Sequence, residues 1–184
     1  MRQTLLFVIL LLLLPVSVVL QDLLPAIPVG QARIQLLPVL FCFAMLALPL
    51  LPALFFALIT ALVQGLLLLQ IQGGQSELGL TLPIVFFVAW AIVLQMSSEA
   101  THGMRWELHA LGSALVTLTL LGGEFLVLCI KRGGFPFDLS VGLRIVIPAL
   151  VAPFIAPALY FMLRSLVPLT PEAGPVAAQP SFKR

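Results

Sequence analysis

Apolar runs long enough to cross a bilayer alternate along this chain with short polar or Gly/Pro-rich breaks. The clearest run is Leu108–Ile130, LHALGSALVTLTLLGGEFLVLCI. At about 1.5 Å of rise per residue it crosses a hydrocarbon layer roughly 30 Å thick as one helix. Ser113, Thr117 and Glu124 fall on one face of that helix, a polar stripe on an otherwise apolar cylinder. A carboxyl is costly against lipid, so the stripe is expected to face protein or a water-filled cavity. The Gly122-Gly123 pair beside it would admit a second helix at close range.

The remaining runs are read in chain order. Gln3–Leu20 predicts a first helix bent by Pro15. No small-x-small site follows it, so it is expected to stay on the protein as a membrane helix. Gln21–Gln35 is a connector, because two prolines and Gly30 stop a helix there. Leu36–Leu69 is uncharged and too long for one crossing, and Pro49 and Pro52 break it near the middle. Two short helices, Leu36–Leu48 and Ala53–Leu69, are expected as two full crossings, with a re-entrant hairpin as the alternative. Gln70–Thr81 is a loop, and Leu82–Met96 a fourth helix with Pro83 in its first turn. Ser97–Glu107 is a polar loop, with Trp106 at the water boundary. A last helix runs from Arg144 or Ile145 to Leu163, with Pro148, Pro153 and Pro157 inside it. Such prolines leave carbonyls that need partners within protein, so one face should be buried.

The expectation is an all-α integral membrane protein of about six transmembrane helices in one compact bundle, residues 1–166. A Pro- and Ala-rich tail, 167–184, has no periodicity and is expected to be disordered. Composition agrees with a membrane class: 61% of the residues are hydrophobic and 9% charged, where soluble domains carry about a quarter charged. A net charge of +2, scattered, excludes a nucleic-acid surface and leaves the lipid bilayer as solvent. The basic residues divide too evenly between the two sides to fix which one the termini face.

Candidate chemistry is sparse. Cys42 and Cys129 lie in apolar runs without metal or redox spacing and read as buried free thiols. Glu99, His102, Glu107 and His109 crowd one loop but match no zinc-hydrolase motif, so a solvated loop is the simpler reading. A hydrolase using His102 and Glu107 is the distant option. Glu124 reads as a structural carboxyl, neutral or paired, rather than a proton relay, because the other spans hold no Asp, His or Lys to pass a proton on. Both aspartates, Asp22 and Asp138, lie in connectors. No catalytic residue, metal or cofactor is expected.

The segment Pro49–Pro83 and the end of the chain resemble the bacterial rod-shape-determining protein MreD family. The matching features are Gly65-Leu66-Leu67-Leu68, the Gly73-Gly74-Gln75-Ser76 loop and Leu78-Gly79-Leu80. Near the end they are Pro148-Ala149, Pro157-Ala158-Leu159-Tyr160 and Arg164. Glu124 falls where some members carry an acidic residue, whereas Leu69-Gln70 stands where many carry an aspartate. The resemblance implies a bundle similar to vitamin-transporter substrate-binding subunits. It implies a non-catalytic scaffold of the cell-wall elongation (rod-shape, peptidoglycan biosynthesis) machinery in the bacterial inner membrane. It also implies binding to MreC, and through it to MreB and wall-elongation synthases. Helix-packing or partner-interface residues are then Gly65, Gly79, Gly122, Gly123, Glu124, Pro148, Pro157 and Tyr160. The alternative is a small-molecule-binding subunit of a membrane transporter. A scaffold should present an outward groove, and a transporter subunit a closed polar pocket.

Overall fold

The computed structural model describes residues 2–28, 31–71, 81–100, 106–134 and 138–165. These form six α-helices: α1 (Arg2–Leu23), α2 (Leu37–Ala47), α3 (Leu50–Ile71), α4 (Thr81–Ala100), α5 (Trp106–Arg132) and α6 (Leu139–Arg164). The chain is an all-α membrane helical bundle. Five of the helices are long and apolar enough to cross a membrane, and α2 is the exception.

At about 1.5 Å per residue, the 11 residues of α2 extend roughly 16 Å, half a hydrocarbon core. The expected break is present, but it divides the run unequally, into a short α2 and a full-length α3. Pro49 sets the division. It drives Leu48 to an extended conformation, φ −101° and ψ 147°, which ends α2. Pro52 falls in the first turn of α3, where a missing N–H costs little.

Every α2 residue except Ala47 is buried, and α2 packs against all the other helices. It is the axis of the bundle. Phe41, Phe43, Phe56 and Phe87 are fully buried around it, and Phe41 and Phe87 meet edge-on at 4.8 Å. From α1, Leu6, Leu10 and Leu14 bury one face at intervals of one turn, while Leu5, Leu12 and Val16 point outward. From α6, Ala149, Ala152, Ala156 and Tyr160 form the buried face, and the small side chains let α2 and α5 come close.

Side chains fix the topology. Gln3 and Thr4 at the start of α1 share a groove with Leu51 and Pro52 at the start of α3. Gln95, near the end of α4, reaches the end of α2 at Leu48. Tyr160, near the end of α6, meets His109, near the start of α5. The starts of α1, α3 and α5 and the ends of α2, α4 and α6 thus share one end of the bundle. Arg144 donates to Gln31 at 3.5 Å at the other end. The chain passes through the bundle six times, once by way of a short buried helix, and Arg2 and Arg164 lie at the same end.

Several boundaries moved. α1 runs to Leu23, and the connector that follows is pinned by an Ile27–Ala32 bridge and by Leu36 N–H donating to the Gln21 side chain. α4 continues to Ala100 through part of the expected polar loop. α6 starts at Leu139 rather than Arg144, because Asp138 caps it: its carboxylate accepts from Leu139 N–H at 2.7 Å and from the Ser140 hydroxyl at 2.8 Å. α6 also continues through all three prolines as one helix. α5 ends on Gly133, whose φ of +65° requires glycine, and Gly134 N–H bonds back to the Cys129 carbonyl. The Gln70–Thr81 loop from 72 to 80 and the tail from 166 lie outside the described residues.

Candidate functional site

The polar side chains converge on α5, in two groups. The first is His109, Ser113 and Thr117, all fully buried. Ser113 donates to the His109 carbonyl and Thr117 to the Ser113 carbonyl, each at 2.7 Å. Each hydroxyl is thereby engaged by the carbonyl one turn back on its own helix, as Thr60 is on Phe56 in α3. The stripe faces protein, as the sequence requires, but its hydroxyls bind their own helices rather than a cavity.

His109 departs from the solvated-loop reading given to Glu99, His102, Glu107 and His109. Glu107 is exposed, and residues 101–105 lie outside the description. His109, by contrast, has no accessible surface. Its Nε2 donates to the Val39 carbonyl of α2 at 3.0 Å, which places the proton of a neutral ring on that nitrogen. The Ala156 carbonyl of α6 also lies by the ring, and Nδ1 has no hydrogen-bond partner among the described residues. The ring sits against Phe43, centroid to centroid 5.8 Å, and Tyr160, at 6.0 Å. Arg164 covers Tyr160 from the outer side, its guanidinium carbon 5.9 Å from the ring centroid. His109 ties three helices together.

One turn further along α5, Gly112 is closely packed: an added Cβ would sit 3.0 Å from Leu94 of α4 and 3.8 Å from the Cys42 sulfur. Cys42 and Cys129 are buried and free, as expected. Close packing had been expected at Gly122 and Gly123. An added Cβ at either would meet nothing within 4 Å among the described residues, so neither glycine is in close helix contact there.

The second polar group is Glu124 with Gln64 of α3. Gln64 Nε2 donates to Glu124 Oε1 at 3.2 Å, so the partner comes from another span. Gln64 is buried and its Oε1 has no hydrogen-bond partner among the described residues. Glu124 and Gly123 border a small cleft whose other wall is Leu82, Pro83 and Phe86 of α4.

Of the other expected site residues, Gly65, Pro148 and Tyr160 are buried, Pro157 is half-buried, and Gly79 lies outside the described residues. Sequence reasoning missed Gln95, whose Nε2 donates to the Met45 carbonyl at 2.6 Å and the Leu48 carbonyl at 2.9 Å. Among the described residues no three His, Cys, Asp or Glu side chains gather as metal ligands. The larger concavities open on the bundle surface. One of about 470 Å³ lies between α1 and α3, one of about 360 Å³ lies along the end of α1 from Pro15 to Leu23, and one of about 340 Å³ lies between α1 and α6, bordered by Leu36 and Leu40.

No family model matches the chain, and neither a curated protein nor a solved structure matches it.

Proposed function

We propose that this chain is a non-catalytic scaffold subunit of the bacterial cell-wall elongation machinery, a multi-pass protein of the inner membrane that binds MreC. Through MreC it would join MreB and the wall-elongation synthases. The observation that carries the reading is the filled interior. Phe41, Phe43, Phe56, Phe87 and Met45 occupy the middle of the bundle, and Ser113, Thr117 and Thr60 are bonded to their own helices. Polar groups placed this way hold helices together and offer no wall to an enclosed solute. What such a bundle offers is its outer surface, where its grooves lie. The MreD resemblance of Gly65–Leu68, Leu78–Leu80 and Pro157–Tyr160 supplies the identity of the partners.

Depletion of the protein in a rod-shaped host that encodes it tests this. Rounding and swelling of the cells, reversed by the full-length chain, is the expected result. Unchanged rod shape with a defect in uptake of one small solute would overturn the scaffold reading in favour of a transporter subunit.

A further inference from the structure

Two helix pairs in this bundle are close hairpins, α3 with α4 and α5 with α6. At one end they are firmly joined. Gln95 of α4 is bonded to the end of α2, and Leu94 packs onto Gly112 of α5. Towards the other end the core thins. The buried face of α5 runs from His109 to Leu120, and from Leu121 to Arg132 Cys129 alone is buried. Among the described residues α6, which returns alongside α5, buries nothing between Leu139 and Ile147. No Cα of α3 comes within 8 Å of one of α5 among the described residues. Leu82, Pro83 and Phe86 of α4 face Leu120 and Gly123 across a small cleft. The Gln64–Glu124 hydrogen bond spans this seam, two long side chains meeting at 3.2 Å between helices whose backbones stand apart. The closed seam carries a penalty as well. Gln64 is only 5% exposed, and its Oε1 has no hydrogen-bond partner among the described residues. Enclosing an unmatched acceptor costs at least as much as one hydrogen bond returns. Parting the hairpins would let water reach it.

We infer that Gln64 and Glu124 form a strap, and that the α3–α4 hairpin swings about its anchor at Gln95 to open and close the far end of the bundle. In the closed state the strap is made. In the open state the hairpins part along the cleft, and the amide and the carboxyl exchange each other for water. Segments with few buried apolar contacts are those that open locally, and a hinge needs one end held fast. The buried face of α5 up to Leu120 and the Gln95 bonds supply the held end, and both states keep them. The inference stands apart from the scaffold reading, because a transporter subunit of this build would have the same moving end.

Pulsed electron resonance on the full-length chain in lipid nanodiscs tests this, with nitroxides introduced as non-natural amino acids at exposed positions. Val85 with Ile130 reads the strap end, and Met96 with Leu111 reads the Gln95 end. The native chain should show two distances at the strap end, one shorter and one longer, and a single distance at the other. Glu124→Leu should raise the ratio of longer to shorter about fivefold, the worth of roughly one hydrogen bond in lipid, with the Met96–Leu111 distance unchanged. Glu124→Gln keeps an acceptor for the Gln64 amide and should match the native chain. Gln64→Leu combined with Glu124→Leu leaves nothing in the seam that gains from water, so it should show the shorter distance alone. A single distance at the strap end of the native chain, or the native ratio in Glu124→Leu, would overturn the inference. So would a double variant as open as Glu124→Leu. Loss of the Met96–Leu111 distance in Glu124→Leu would overturn it too, because the pair would then hold the whole fold rather than one end.

Discussion

Replacing Gln95 with leucine should loosen the centre of the bundle. α2 ends at Ala47 because Pro49 has no N–H to give the Met45 carbonyl, and the extended Leu48 leaves its own carbonyl outside any helix. The two donors of one Gln95 amide fill both vacancies, at 2.6 and 2.9 Å, from a side chain that is itself buried. Leucine has nearly the same volume and no donor. Interhelical hydrogen bonds in membranes average about 0.6 kcal/mol and reach about 1–2. A buried carbonyl left unmatched costs about 1–3 kcal/mol. Gln95→Leu should therefore cost about 1–3 kcal/mol, measured by reversible unfolding in lipid–detergent bicelles. Gln95→Glu discriminates further, because a carboxylate offers only acceptors to two carbonyls, and it should destabilise more than leucine does. A Gln95→Leu protein within about 0.3 kcal/mol of native, a difference too small for two lost bonds, would refute the reasoning.

Gly112→Val should cost about 1–3 kcal/mol through crowding against Leu94, whereas Gly122→Val should leave stability unchanged; the same unfolding assay compares them. His109→Ala removes a fully buried ring and its bond to the Val39 carbonyl, and should lower stability by about 2–4 kcal/mol, read as folded yield in mild detergent. Reporter fusions at Arg33 and after Ser165 should score on opposite sides of the membrane, because the chain passes from one end of the bundle to the other an odd number of times between them; equal scores would show that α2 turns back.

The helices themselves were legible because apolar length, Pro49 and the polar loops encode them directly. The shortness of α2 was not, since every residue from Leu36 to Leu69 is apolar or uncharged and periodicity cannot divide such a run. The start of α6 was marked by Asp138, a capping residue whose signal the nearby glycines and Arg144 obscured. The inward stripe Ser113–Thr117 followed from helical spacing, and His109 belongs to the same stripe, one turn earlier. Its place next to a polar loop concealed that. Gln64 and Gln95 answer Glu124 and the end of α2 from distant positions in the chain, and no local pattern announces such pairs. Gly112 and Gly122 look alike in sequence, and only the packing of α4 and α2 against the first separates them.

The central claim is that this bundle acts by holding another membrane protein. The most direct measurement is crosslinking in intact cells from the full-length chain carrying a photoreactive residue at exposed positions, Leu126 on α5 and Phe154 on α6 among them. The account predicts a discrete adduct from one face of the bundle and not from the others, identified by mass spectrometry as MreC. The chain purified from the same membranes with no MreC, and with a small solute bound at stoichiometric amount, would contradict it.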